Sequence, residues 1–151
     1  MKEEALKNYR RLLWALSLLG TLSFIFLHSL TPAVQSGAQS SAVYLALWQF
    51  FPFLTHSLVR KLAHFCEYAL LGAHLYFLPS LFAKVRWQLA FLFGLPIALF
   101  DEGLQFFVSG RSAAIQDVLL DCAGYLFGLL FLALCMKIFK AFRRMGASNH
   151  V

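Results

Sequence analysis

Five carboxylates stand where carboxylates are expensive. Of seven acidic residues, Glu3 and Glu4 lie in the N-terminal tail, while Glu67, Asp101, Glu102, Asp117 and Asp121 fall within or at the edges of apolar runs. A charge at the centre of a membrane-spanning helix costs about 2.5–3.5 kcal/mol, and less near the interface. Leaving several against lipid would consume a whole domain's stability, about 5–15 kcal/mol. They must face one another, bases or water. The same stretches carry Arg60, Lys61, His64, Gln105 and Arg111. Arginine can grip a phosphate with two parallel hydrogen bonds, and lysine adds a point charge. His64 and Glu67, three residues apart, have the spacing of a general base and its orienting acid. With Asp101, Asp117 or Asp121 they could instead hold a hydrolytic metal ion. No His-Glu-x-x-His or Gly-x-Ser-x-Gly motif occurs.

The elements that must position these groups follow from composition. The 151-residue chain is 60% hydrophobic and 13% charged, against about 25% charged in a typical soluble domain. Such a chain cannot cover a water-facing surface. Its net charge of +6 comes from bases that flank apolar stretches, so anionic lipid is the expected counterpart and nucleic acid is not. Cys66, Cys122 and Cys135 have no paired spacing and read as small packing residues.

No Asp, Glu, Lys or Arg occurs between Arg11 and Arg60. Residues 12–30 are long enough to span, since roughly 20 helical residues cross the hydrocarbon core. A cleaved signal peptide is the rival reading, disfavoured because signal h-regions run to only about 7–15 residues. Residues 31–41 are small and polar, and with 109–112 are expected outside the membrane. Residues 42–54 are aromatic, short and interrupted by Pro52, as suits an interfacial or re-entrant segment. Further spans are expected at 62–82, 87–108 and 114–136, with Pro79 ending or bending the second and Pro96 kinking the third beside Gly94. The expected architecture is an all-α integral membrane bundle of four transmembrane helices forming one domain over 1–151.

Basic residues orient it. With both termini inside, Lys2, Lys7, Arg10, Arg11, Lys84, Arg86, Lys137, Lys140, Arg143 and Arg144 are cytoplasmic, against Arg60, Lys61 and Arg111 outside. A fifth span through 42–59 would erase this bias. The last four bases read as an inner-leaflet anchor.

At about 100° per residue, Arg60, His64, Glu67, Leu71 and His74 share one face of the second span. Asp101 and Gln105 share a face of the third with Gly94 and Ala98, Glu102 at its margin. Asp117, Asp121, Gly124, Gly128 and Cys135 share a face of the fourth. This topology brings every polar group to the outer part of its helix. His74, deeper on its stripe, reads as structural, and Gly124-x-x-x-Gly128 fits close helix packing. Arg111, in a short outer loop, is expected to add little stability, as surface pairs contribute about 0–1 kcal/mol.

Three blocks in order carry a resemblance: Arg60-Lys61-x-x-His64-Phe65-x-Glu67-Tyr68-x-x-Leu71-Gly72, Asp101-Glu102-x-x-Gln105-Phe106-x-x-Gly110-Arg111, and Asp117-Val118-x-x-Asp121-x-x-Gly124-x-x-x-Gly128. With Ser29-x-x-Pro32, Ser36 and Ser40, they resemble the VanZ family over about residues 20–135. Two positions depart from its pattern: Leu104 stands where the family often has histidine, and Ser109 where it often has proline. The resemblance implies a small protein of the bacterial cytoplasmic membrane, and links it to tolerance of the glycopeptide teicoplanin.

Three functions stay open from these residues. The first is an outer-leaflet site for the head group of a lipid or lipid-linked cell-envelope precursor, with Arg60, Lys61, His64, Glu67, Gln105 and Arg111 as ligand-binding groups. The second is an enzyme on such head groups, with His64, Glu67, Asp101, Glu102, Asp117 and Asp121 as catalytic candidates. The third is a structural or proton-coupled ion network. A divalent cation on His64, Glu67, Asp101, Asp117 and Asp121 is the one cofactor these residues suggest. Oligomeric state is not legible.

Overall fold

The computed structural model describes residues 2–82 and 87–148. Lys84 and Arg86, part of the cytoplasmic count, lie outside the described residues. Every regular element among those residues is helical: α1 (Lys2–Ser29), α2 (Ala33–Trp48), α3 (His56–Tyr76), α4 (Leu78–Leu81), α5 (Trp87–Leu92), α6 (Gly94–Phe106) and α7 (Ile115–Ser148). Among the described residues, two helices, Lys2–Ser29 and Ile115–Met145, are long and apolar enough to cross a membrane. Apolar side chains such as Leu27, Phe107, Leu119 and Phe142 cover the outside, where water would penalise them.

Several boundaries differ from the sequence expectation. The polar stretch 31–41 is helical from Ala33 and continues into the aromatic residues as α2. Its small residues carry no apolar stripe, so periodicity could not reveal it. Trp48 ends α2, and Phe50, Phe51 and Phe53 follow it, all four exposed. The next helix starts at His56 rather than 62, because the Thr55 side chain accepts the Leu58 N–H at 3.2 Å and caps it. It ends at Tyr76, and Pro79 sits in the first turn of α4, where its missing N–H is harmless. The third expected span is two helices broken at Phe93. Pro96 cannot bond back to Leu92 and its ring crowds that carbonyl, so α6 begins anew at Gly94. The last helix runs on through the basic tail to Ser148.

Four helices form a ring, α1 against α3, α3 against α7, α7 against α6 and α6 against α1, and α2 packs on α3 from outside it. The core is Ile25, Tyr68, Leu71, Leu75, Ala98, Val118, Tyr125 and Leu129, with Ala90. The α3–α7 seam is the most extensive. A Cβ at Gly72 would meet the Tyr125 carbonyl, one at Gly124 the Phe65 carbonyl, and one at Gly128 the Ala69 carbonyl. Backbones this close need glycine. The seam sets His64 beside Asp121.

Candidate functional site

Four helix ends converge on one side of the ring: the C-termini of α1 and α6 and the N-termini of α3 and α7. A turn at 107–114 closes it. Gly110 holds the left-handed conformation there (φ +75°), which other residues rarely adopt, and the turn swings Arg111 back over the end of α1. Arg111 donates through Nε to the Thr31 carbonyl (2.9 Å), and through its terminal nitrogens to the Gln105 Oε1 (3.1 Å) and the His28 carbonyl (3.2 Å). Arg111 is therefore no simple surface residue. It is half-buried, and it caps the end of α1 by bonding the His28 carbonyl, which also accepts the Thr31 N–H at 3.1 Å, and the Thr31 carbonyl just past the helix. Burial lowers its pKa from the ordinary arginine value, with nearby Arg60 pushing the same way.

Behind Arg111 lies a buried polar network. Ser29 donates to the Asp101 Oδ2 at 2.9 Å, and the Gln105 amide reaches the Ser29 hydroxyl at 3.5 Å. His28 Nδ1 meets Glu67 Oε1 at 2.7 Å, and the His28 ring stacks on His64 with centroids 5.6 Å apart. His64 Nδ1 lies 3.8 Å from Asp121 Oδ1. Glu102 accepts the Ala114 N–H at 3.0 Å, a carboxylate at the start of α7, where free N–H groups favour negative charge.

A cavity of about 200 Å³ opens above this network, lined by Arg60, Lys61, His64, Gln105, Arg111 and Asp117, among others. Three cations thus surround one space. A second, apolar cavity of about 360 Å³ lies between α1, α2 and α3, with Phe24, Val43, Leu47, Leu54 and Leu62 in its wall. Arg60 lines both.

A family model described as VanZ/LLP1 matches residues 14–138. The chain belongs to the VanZ/LLP1 family. No curated protein and no solved structure matches it. The VanZ/LLP1 assignment and the two long apolar helices together fit a membrane protein.

The site residues expected for this VanZ/LLP1 chain divide into three groups. Arg60, Lys61, His64, Gln105, Arg111 and Asp117 share the polar cavity. Asp101 and Asp121 lie beneath it, fully buried. Glu67 faces His28, and Glu102 turns to α7, so neither joins the cavity wall. Asp117 is only partly buried, on the cavity wall rather than inside the network. His74 stands apart, its Nδ1 at 3.0 Å from the Leu70 carbonyl. The cysteines are free, but Cys66 and Cys135 are exposed and only Cys122 packs on the core, which corrects the packing role expected of all three.

His28 was not anticipated. It ends an apolar run without a charged neighbour, and its partner is 39 residues away. Its one local signal is adjacency to the Ser29-x-x-Pro32 segment.

Proposed function

We propose that this VanZ/LLP1 protein binds the phosphate of a lipid or lipid-linked cell-envelope precursor in its polar cavity. It does so from the outer leaflet of the bacterial cytoplasmic membrane. In this reading the chain is one domain of four spans, formed by α1, α3, α5 with α6, and α7. Both termini are cytoplasmic, and α2 with its trailing aromatics lies at the outer interface. At 16 residues and about 1.5 Å per residue, α2 reaches about 24 Å, short of the roughly 30 Å core.

The observation that carries the reading is the convergence of Arg60, Lys61 and Arg111 on one cavity. Arg111 has five N–H donors and commits three to the protein, which leaves two for a ligand. Arg60 also borders the apolar cavity, so a molecule anchored by phosphate could lay a hydrocarbon chain beside α2. Glycopeptides act on envelope precursors outside the membrane, which agrees with this sidedness and with the tolerance that the family resemblance suggests. An acid/base enzyme on the same head groups is the second reading, favoured by His64 standing on the cavity wall beside buried Asp121.

Lipid extracted from detergent-purified protein tests the proposal. Wild type should retain stoichiometric lipid phosphate, and the double variant Arg60→Ala, Lys61→Ala should lose at least about tenfold of it. Both residues are exposed, and surface changes usually shift stability within about 0.5 kcal/mol. Equal lipid in wild type and variant would overturn the reading. Sidedness is tested by cysteine labelling in intact cells, native cysteines replaced, at exposed Gln35 and Ser112. Labelling only after lysis would reverse the topology.

A further inference from the structure

Beneath the cavity floor the protein gathers ligands that it does not itself satisfy. One ring nitrogen of His64 and one carboxylate oxygen each of Asp101 and Asp121 lie within 4.8 Å of one another. Asp101 is 0% and Asp121 1% exposed. Among the described residues, neither oxygen of Asp121 has a hydrogen-bond partner, and neither does Oδ1 of Asp101. Leaving a buried acceptor unsatisfied costs about 1–3 kcal/mol, and more where the group is charged. The His64–Asp121 separation of 3.8 Å is too long for a hydrogen bond. It does suit two atoms that each reach about 2.0–2.2 Å to a shared ion.

We propose that His64, Asp101 and Asp121 bind one divalent transition-metal ion, of the Zn²⁺ or Mn²⁺ type. Three helices supply the ligands: α3, α6 and α7. One imidazole with two carboxylates suits a borderline ion, whereas Ca²⁺ demands six to eight oxygens. Two ionised carboxylates cancel the ion's charge, so the filled site is neutral where the dielectric is low. Asp101 already has the support that ligating carboxylates require. Ser29 holds its Oδ2 at 2.9 Å, which leaves Oδ1 for the ion. His64 alone of the three lines the polar cavity, so an open coordination position points towards the three cations. The ion site stands independently of the phosphate reading, because its ligands and its assay are different.

The test is metal retention. Detergent-purified protein, stripped with chelator, is loaded separately with Zn²⁺ or Mn²⁺, desalted, and assayed by mass spectrometry for metal per chain. Wild type should retain about one ion per chain with one of the two metals and gain thermal stability on loading. Asp121→Asn should retain less than a tenth of that amount. Ser29→Ala keeps all three ligands and should bind about 10- to 100-fold more weakly. The exposed-acid control Glu3→Gln should match wild type. Two outcomes overturn the proposal: wild type that is monodisperse and helical yet retains neither metal, or Asp121→Asn that retains as much as wild type.

Discussion

Between α3 and α7 three glycines bring backbone against backbone, whereas at the site end α1 meets α3 and α6 through polar side chains. The first seam has no adjustable part: Gly72, Gly124 and Gly128 face carbonyl groups directly. The second is made of Ser29 on Asp101, His28 on Glu67, and Arg111 on the end of α1. Each of these pairs has a geometry that a ligand or a proton could change. The lesson is a division of labour. A rigid seam fixes the depth of His64 and Asp121, and a polar seam completes the site around them.

The contrast predicts a ranked set of failures. Glu67→Lys should be the worst, because it sets a cation against His28 in a buried pair. Losing one partner of such a pair costs about 3–5 kcal/mol. The membrane-extracted, monodisperse fraction should fall severely, and normal abundance would mean that the polar seam is open to solvent. Gly128→Leu attacks the rigid seam. Overpacking costs about 1–3 kcal/mol or more, and here the obstruction is backbone, which cannot rotate away. A Tm in detergent equal to wild type would mean that α3 and α7 are not in close contact.

Arg111→Ala should be intermediate, at about 1–3 kcal/mol, through its bonds to the Thr31 and His28 carbonyls. Arg111→Lys should recover only part of the loss in thermal unfolding, since an ammonium cannot span three acceptors in a fork. Loss of ligand binding in Arg111→Ala is thus weaker evidence for a phosphate contact than loss in the exposed Arg60 and Lys61. Glu102→Gln should be mild, about 0.3–1 kcal/mol. It keeps an acceptor for the Ala114 N–H and loses the charge at the start of α7. Lys140→Ala, exposed on the far part of α7, should leave Tm and lipid content unchanged.

Much of the site was legible because polar groups in apolar runs must find one another. The faces carrying His64 with Glu67, Asp101 with Gln105, and Asp121 with Gly124 and Gly128 are all buried. Helical period alone was enough for that. What could not be read were pairings across long sequence separations. Glu67 and Glu102 looked like members of one acidic cluster, yet His28 takes the first and the start of α7 the second. Arg111 looked like a surface residue because nothing local shows that the turn folds it over α1. The start of α3 was legible after all in the Thr55 cap, which hydropathy, by avoiding Arg60 and Lys61, conceals. For α2, neither periodicity nor charge offered a signal.

The length of α7 carries a further consequence. Its 34 residues, at about 1.5 Å each, make a rod of about 51 Å, against a hydrocarbon core of about 30 Å. In the proposed orientation some 20 Å must project, and the bases at 137, 140, 143 and 144 put that surplus on the cytoplasmic side. The other end is thereby held close to the outer boundary. Asp121 lies six residues into the helix, about 9 Å along its axis. A thicker or thinner bilayer would move the anchored tail relative to the outer head groups and change how far a ligand must reach down. In that orientation the occupancy of the cavity should depend on the acyl-chain length of the surrounding lipid.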